Sequence, residues 1–340
     1  MKDSIYNKIS IFLMLLTFIS LNTVGCSNSG PHQKTVFIMD TSVDIVVHGA
    51  SKKQAKLVME KAVSKMEQLE KILSGHISGS DVSRINEAAG RAPVKVRSET
   101  IYAVRKALKI AELSKGAFDP TVGPLLELWG WGTEKLRVPS TEEINKVLPL
   151  VDYKAVKIDE NSSTIFLTKP GMKLDLGGIA KGYIVDQGQE AVKEMPFKAM
   201  FINAGGDISI PRNKPSGEKW TIAIQSPHDP QSWAAVLEIE KGCVATSGGY
   251  ERYFEEDGEI YHHILDPKKG VPGKKVAGVT VVAPDAAWAD ALATATFILG
   301  KQEGMQLLES LEGVEGVIID NQGEVQVSTG LKDNITVMSK

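Results

Sequence analysis

Residues 201–208 read Phe-Ile-Asn-Ala-Gly-Gly-Asp-Ile, an apolar strand that runs directly into a glycine pair. Two glycines there fit a bulge, or a ligand passing close to the backbone. The order is not the G-x-G-x-x-G of a dinucleotide-binding turn, which argues against a Rossmann sheet. Downstream, short β-rich runs occupy 199–203, 220–225, 235–240, 276–283 and 314–320, interrupted by a helix over 287–299 and another near 303–311. Upstream, 36–48 reads as paired strands around Met39-Asp40-Thr41. Residues 52–73 place Ala55, Val58, Ala62, Met66, Leu69 and Ile72 on one helical stripe. A second amphipathic helix covers 100–113 and ends at Gly116. Ser140 and Glu143 form a capping box for a short helix reaching 148, and 157–168 reads as a hairpin turning at 160–162. Helices and strands mix without regular βαβ alternation. The expected class is α+β, with mainly antiparallel sheets flanked by helices.

The composition of the 340 residues, 42% hydrophobic and 24% charged with a net charge of −3, excludes a disordered or collagen-like chain. With 39 basic against 42 acidic residues there is no electrostatic footprint for nucleic acid. The N-terminus differs from the rest. Lys2 and Lys8 precede an apolar run at 9–21, shorter than the roughly 20 residues of a spanning helix and sized like a signal-peptide core. Val24-Gly25-Cys26 then resembles a bacterial lipoprotein junction. The expected organisation is a signal peptide at 1–25, a lipidated Cys26 and tether at 26–34, and one domain at 35–340. That domain would be lipid-anchored in the cell envelope, on the periplasmic or extracytoplasmic face of the cytoplasmic membrane. Removing 1–25 deletes Lys2, Lys8 and Asp3 and leaves a charge of −4, so the lipid and not a basic patch would be the anchor. Cys243 then has no partner within the chain, and stability must come from the core.

Chemistry concentrates in glycine-rich clusters. Asp119 and Thr121, beside Gly123-Pro124, suit either a helix cap or a binding turn. In Lys173–Gly182 a strand delivers Asp175, Gly177-Gly178 permits close backbone approach, and Lys181 falls in the first turns of a helix. A lysine there opposes the helix dipole, which points to an anionic ligand at the helix start; an exposed lysine after a plain strand–helix turn is the other reading. The segment is not a P-loop. His262-His263 lacks the H-E-x-x-H or cysteine company of a zinc site, leaving a pocket or structural role. Asp290 and Thr294, four apart on a helix, are hard oxygen donors suited to Mg²⁺; a first-turn Asp and a Thr bonding back to a carbonyl is the plain alternative.

Together the Asp119–Trp131 segment, LDLGGIAKGY, NAGGD, TSGGYERYF, HHILDP and ADALATA, in this order, resemble the ApbE family of FAD:protein FMN transferases. The resemblance implies an ApbE-like, T-fold-related architecture. It implies Mg²⁺ held by Gly178, Asp290, Ala293 and Thr294, and FAD bound as substrate by Met39, His76, Asp119, Pro120, Thr121, Asp175, Lys181, His263, Ile264 and Leu265. Catalytic roles fall to Asp290, Lys181 and His263, the last as base for an attacking hydroxyl. The implied partner is an acceptor flavoprotein carrying a threonine or serine, for example a subunit of a membrane redox complex, and AMP would leave. Two positions depart from the family: Asp40 replaces the glycine after the methionine, and His76 stands where many members place a flavin-stacking tyrosine. A Mg²⁺-dependent FAD pyrophosphatase uses the same residues. A non-catalytic flavin-binding lipoprotein or a solute receptor needs the pocket without the Asp290–Thr294 pair.

Overall fold

A computed structural model describes residues 30–338. An eight-stranded sheet forms its centre, in the order β1 (His32–Ile38), β2 (Thr41–His48), β6 (Ala199–Ala204), β7 (Asp207–Ile210), β10 (Gly242–Gly248), β13 (Gly278–Ala283), β14 (Glu315–Ile319) and β15 (Val325–Val327). A three-stranded sheet, β16 (Ile335–Val337), β9 (Trp233–Ile239) and β8 (Trp220–Gln225), lies against it. The small sheet β3 (Val94–Lys95), β5 (Thr164–Leu167), β4 (Val156–Asp159) and the hairpin β11 (Tyr253–Glu256) with β12 (Glu259–His262) complete the strands. The helices are α1 (Lys52–Leu73), α2 (Asp81–Glu87), α3 (Ser98–Leu113), α4 (Gly123–Trp129), α5 (Thr141–Val147), α6 (Gly177–Glu190), α7 (Ala286–Leu299) and α8 (Lys301–Glu309). The pairing of these strands is antiparallel, so the mixed, mainly antiparallel α+β expectation holds.

Strand alternation divides the interior into two cores. Met200, Ile202 and Ala204 of β6 point to the core shared with the buried stripe of α1 and with α6 and α7. Ala199 and Phe201 point the other way, to Trp220, Ile222 and Leu237 of the second sheet. The stripe read in 52–73 is buried throughout, and the Ser140–Glu143 capping box forms in both directions. α7 is buried nearly all round, and its many alanines let it lie between the sheet and its helical neighbours.

Cys26 and the signal peptide at 1–25 lie outside the described residues. The tether expected at 26–34 requires correction: β1 begins at His32, which pairs with Val47. The glycine pair is a turn, not a bulge. Gly205 and Gly206, at φ 58° and 102°, make the two-residue turn between β6 and β7, with Ala204 opposite Asp207. Beside it, Met39 and Asp40 turn β1 into β2 at φ 56° and 55°, a left-handed conformation that is uncommon without glycine. Both turns, and the C-terminal end of β10, lie at one end of the large sheet.

Candidate active site

Two buried carboxylates and a half-buried ammonium meet at that end. Asp207 opens β7 directly after the Gly205-Gly206 turn and is 1% exposed; Asp290 of α7 is 3% exposed. Lys181 of α6 reaches between them, its Nζ 2.7 Å from Asp207 Oδ2 and 3.5 Å from Asp290 Oδ1. What brings the helices close enough is Gly182, where an added methyl would lie 2.2 Å from the Ala286 carbonyl oxygen. The Gly182 N–H, which a regular helix would aim at Gly178 O, reaches Asp290 Oδ2 at 3.3 Å.

The electrostatics show a surplus of negative charge. Burial works against the Lys181 charge, but Asp207 and Asp290 outweigh it and hold the lysine above its ordinary range. Burial, then the Asp290 charge, pushes Asp207 up to about 7 against the pull of Lys181. Asp290 is also raised, by burial. Glu251, exposed, lies within range of the same charges. One ammonium therefore serves two buried carboxylates. Two carboxylates compensate the Lys181 charge without any ligand, so its place near the start of α6 does not by itself call for a bound anion. Removing that charge would strand them, so a Lys181→Met chain would lose stability.

The rest of the cleft is built from loops. The Asp119 carboxylate accepts from Thr121 N at 2.8 Å, Thr121 Oγ1 at 2.6 Å and Tyr153 N at 3.0 Å. It does not cap α4, whose N-cap is Val122 without a side-chain bond; the pair instead fixes the turn against Tyr153. Burial raises the Asp119 carboxyl. Pro120 O accepts from Asp175 N at 2.8 Å, and Asp175 Oδ1 accepts from Gly177 N at 2.8 Å, which ties this turn to the start of α6. His262 is structural: Nε2 bonds Gly273 O at 2.7 Å and the ring meets Phe297 edge-on. His263 is half-buried beside Trp131, with Nδ1 3.2 Å from Arg252 O. A carbonyl only accepts, so Nδ1 carries the proton and Nε2 keeps its lone pair. Burial, then the Arg252 charge, pushes His263 down to about 3.

A model of the ApbE family matches residues 39–318. The chain belongs to the ApbE family. It is 31% identical to a Treponema pallidum protein over 99% of this chain and 98% of that one, and 35% identical to a Klebsiella pneumoniae protein over 78% and 82%; both are named FAD:protein FMN transferase. It is similar to the solved ApbE protein of Thermotoga maritima, with a TM-score of 0.83 and 37% identity over 89% of this chain and 99% of that one. It is also similar to the flavin transferase ApbE of Vibrio cholerae, with a TM-score of 0.80 and 28% identity over 90% and 99%.

The positions matched to ApbE proteins divide by what they offer. The Met39 N–H donates to Glu70 Oε1 at 2.8 Å, anchoring the strained turn. His76 is exposed and its ring lies against Gly132, where an added methyl would come within 2.8 Å. Ile264 and Leu265 bury their side chains in two separate cores, so the backbone is what they present. Ala293 is fully buried and likewise has only backbone to contribute. Thr294 Oγ1 lies 3.2 Å from Ser247 Oγ, and a methyl on Gly178 would come 3.4 Å from it. Gly178 itself breaks helical geometry at φ −90°, ψ 18°. Among the described residues no three His, Cys, Asp or Glu side chains are grouped to hold a metal ion. The donors fit a hard cation nonetheless: two buried, raised carboxylates share one ammonium, a deficit of positive charge beside the Asp290 and Thr294 oxygens. Asp207 and Glu251 are absent from the sequence-derived candidates. The one hint for Asp207 was its place after the glycine pair, because a two-residue turn fixes where the next side chain starts.

Proposed function

We propose that this chain transfers FMN from FAD to a threonine or serine hydroxyl of an acceptor flavoprotein and releases AMP, with Mg²⁺ as cofactor. The observation that carries the reading is the buried Lys181–Asp207–Asp290 cluster, short of positive charge, at the end of the sheet where the family's motifs converge. Asp290, Thr294 Oγ1 and the Gly178 carbonyl would hold Mg²⁺, which when bound supplies charge neutralisation of the FAD pyrophosphate. Lys181 presents its ammonium to the same diphosphate and to the negative charge that grows on departing AMP. The acceptor oxygen forms a bond to the FMN-side phosphorus as the bond to the bridging oxygen breaks, and that oxygen leaves with AMP. The hydroxyl proton passes to His263 Nε2, the free lone pair in the tautomer set by Arg252 O. A bound diphosphate counteracts the burial and the Arg252 charge that make His263 a weak base in the empty cleft. Met39 and His76 would face the flavin.

Incubating the full chain with FAD, Mg²⁺ and a fragment of an acceptor flavoprotein should add the mass of one FMN to a threonine or serine. Free FMN and AMP with an unmodified acceptor would replace this reading with FAD hydrolysis, and FAD recovered intact would reduce the protein to a flavin carrier. We further propose that Cys26 is lipidated and tethers the domain to an envelope membrane, outside the cytoplasm. No helix among the described residues is long and apolar enough to cross a membrane. Cys26→Ser should move the protein to the soluble fraction; unchanged membrane fractionation would sink the anchor.

A further inference from the structure

We propose that Asp207 is a positioning residue whose task is to keep the Lys181 ammonium off Asp290. The proposal rests on the reading of Asp290 as a ligand of the divalent cation. A lysine between two carboxylates settles toward the nearer, and here the nearer is Asp207, at 2.7 Å against 3.5 Å. Asp207 is held more firmly than a surface counter-ion. It is the first residue after a turn in which both central positions are glycine, its side chain is 2% exposed, and it pairs across the hairpin with Ala204. The ammonium, by contrast, sits on a flexible four-carbon stem. With the Asp207 charge gone, Asp290 is the carboxylate left within ion-pair distance among the described residues, with Glu251 acting on Lys181 only as a more distant charge, and less than an ångström separates Lys181 from full contact with Asp290. Asp290 would then be occupied by an internal cation, and a divalent ion would have to displace it. Asp207 thus keeps two positive charges apart in a space that needs both, the lysine for the diphosphate and the ion for Asp290.

The test is Mn²⁺ binding to the full chain without FAD, followed by electron paramagnetic resonance, with Mn²⁺ standing in as another hard divalent ion. Asp207→Asn, which preserves shape, should weaken Mn²⁺ binding roughly tenfold, a typical coupling within one ion-pair network. Adding Lys181→Met in the same chain should restore the affinity, while FMN transfer stays low for want of the lysine. Asp207→Ala, with and without Lys181→Met, repeats the comparison should the asparagine variant fold poorly. A purely structural role predicts no such rescue, because the double variant would bind Mn²⁺ as weakly as the single one. That result, or an Asp207→Asn chain that binds Mn²⁺ like the unmutated protein, overturns the proposal while the metal reading stands. If Asp290→Asn binds Mn²⁺ undiminished, the metal reading has failed and this proposal falls with it.

Discussion

Asp81 and Asp290 are both buried aspartates, one at the start of α2 and one in α7, yet their surroundings are opposite. Asp81 receives Arg84 Nη2 and Arg97 Nη1 at 2.6 Å each, Arg97 N at 2.7 Å and Thr100 Oγ1 at 2.9 Å. Burial works to raise its carboxyl, and the Arg97 N–H, Arg84 and Thr100 outweigh it, so Asp81 lies below the ordinary range. Asp290 has one backbone N–H at 3.3 Å and a share of one lysine, and is raised. Burial alone is therefore no mark of a reactive carboxylate. The mark is a deficit of donors, because a saturated carboxylate has nothing left with which to bind a cation or substrate.

The largest effect that could break this contrast is on turnover. Asp290→Asn should slow FMN transfer by about a hundredfold or more, while the thermal midpoint of the metal-free protein stays level or rises because a charge repulsion is relieved. A midpoint that drops as far as in an Asp81 variant would erase the distinction. Second comes Asp81→Ala, which should cost about 2 kcal/mol of stability by urea titration, since it leaves the buried Thr100 hydroxyl and the Arg97 N–H without their partner and frees two partly exposed arginines. The folded fraction should keep its transfer rate. A carboxyl lowered in the folded state stabilises above its unfolded value near 3.8 and loses that contribution as pH falls through the lower, folded value. The gap between Asp81→Ala and the unmutated chain should therefore hold from pH 8 to pH 5 and narrow only below about pH 4. A gap that narrowed already at pH 6 would place the effect on another group. The smallest effect is Arg84→Met, at about 1 kcal/mol or less. Arg84 is partly exposed and three donors remain on Asp81, so a loss equal to that of Asp81→Ala would show that the donors do not share the task.

What the sequence made legible was local. The α1 stripe, the Ser140 box and the antiparallel hairpins depend on neighbours within a few residues, and each is present. β10 escaped notice because Gly-Cys-Val-Ala-Thr-Ser-Gly is almost wholly buried, on both sides of the sheet, and shows no apolar–polar alternation. The candidate site was legible in part. Asp175, Lys181, His263, Asp290 and Thr294 stood out beside glycines or on a common helix face. The Lys181–Asp207 contact did not, because it exists only once α6 has run back beneath β6 and the glycine turn has reversed the chain. Between the cap and the turn left open for Asp119 the sequence could not choose for a related reason: its third donor, Tyr153 N, lies more than thirty residues away.

Gly182 touches neither flavin nor metal in this scheme, and its bearing is on how the protein can change over generations. With Ala286 O only 2.2 Å from where a methyl would stand, position 182 records a distance between two helices, not a chemical group. A lineage could exchange much of the acceptor-facing surface and still be unable to alter that residue without prying Lys181 away from Asp290. Retooling toward new acceptors is thus open at the rim of the cleft and closed at the crossing point beneath it.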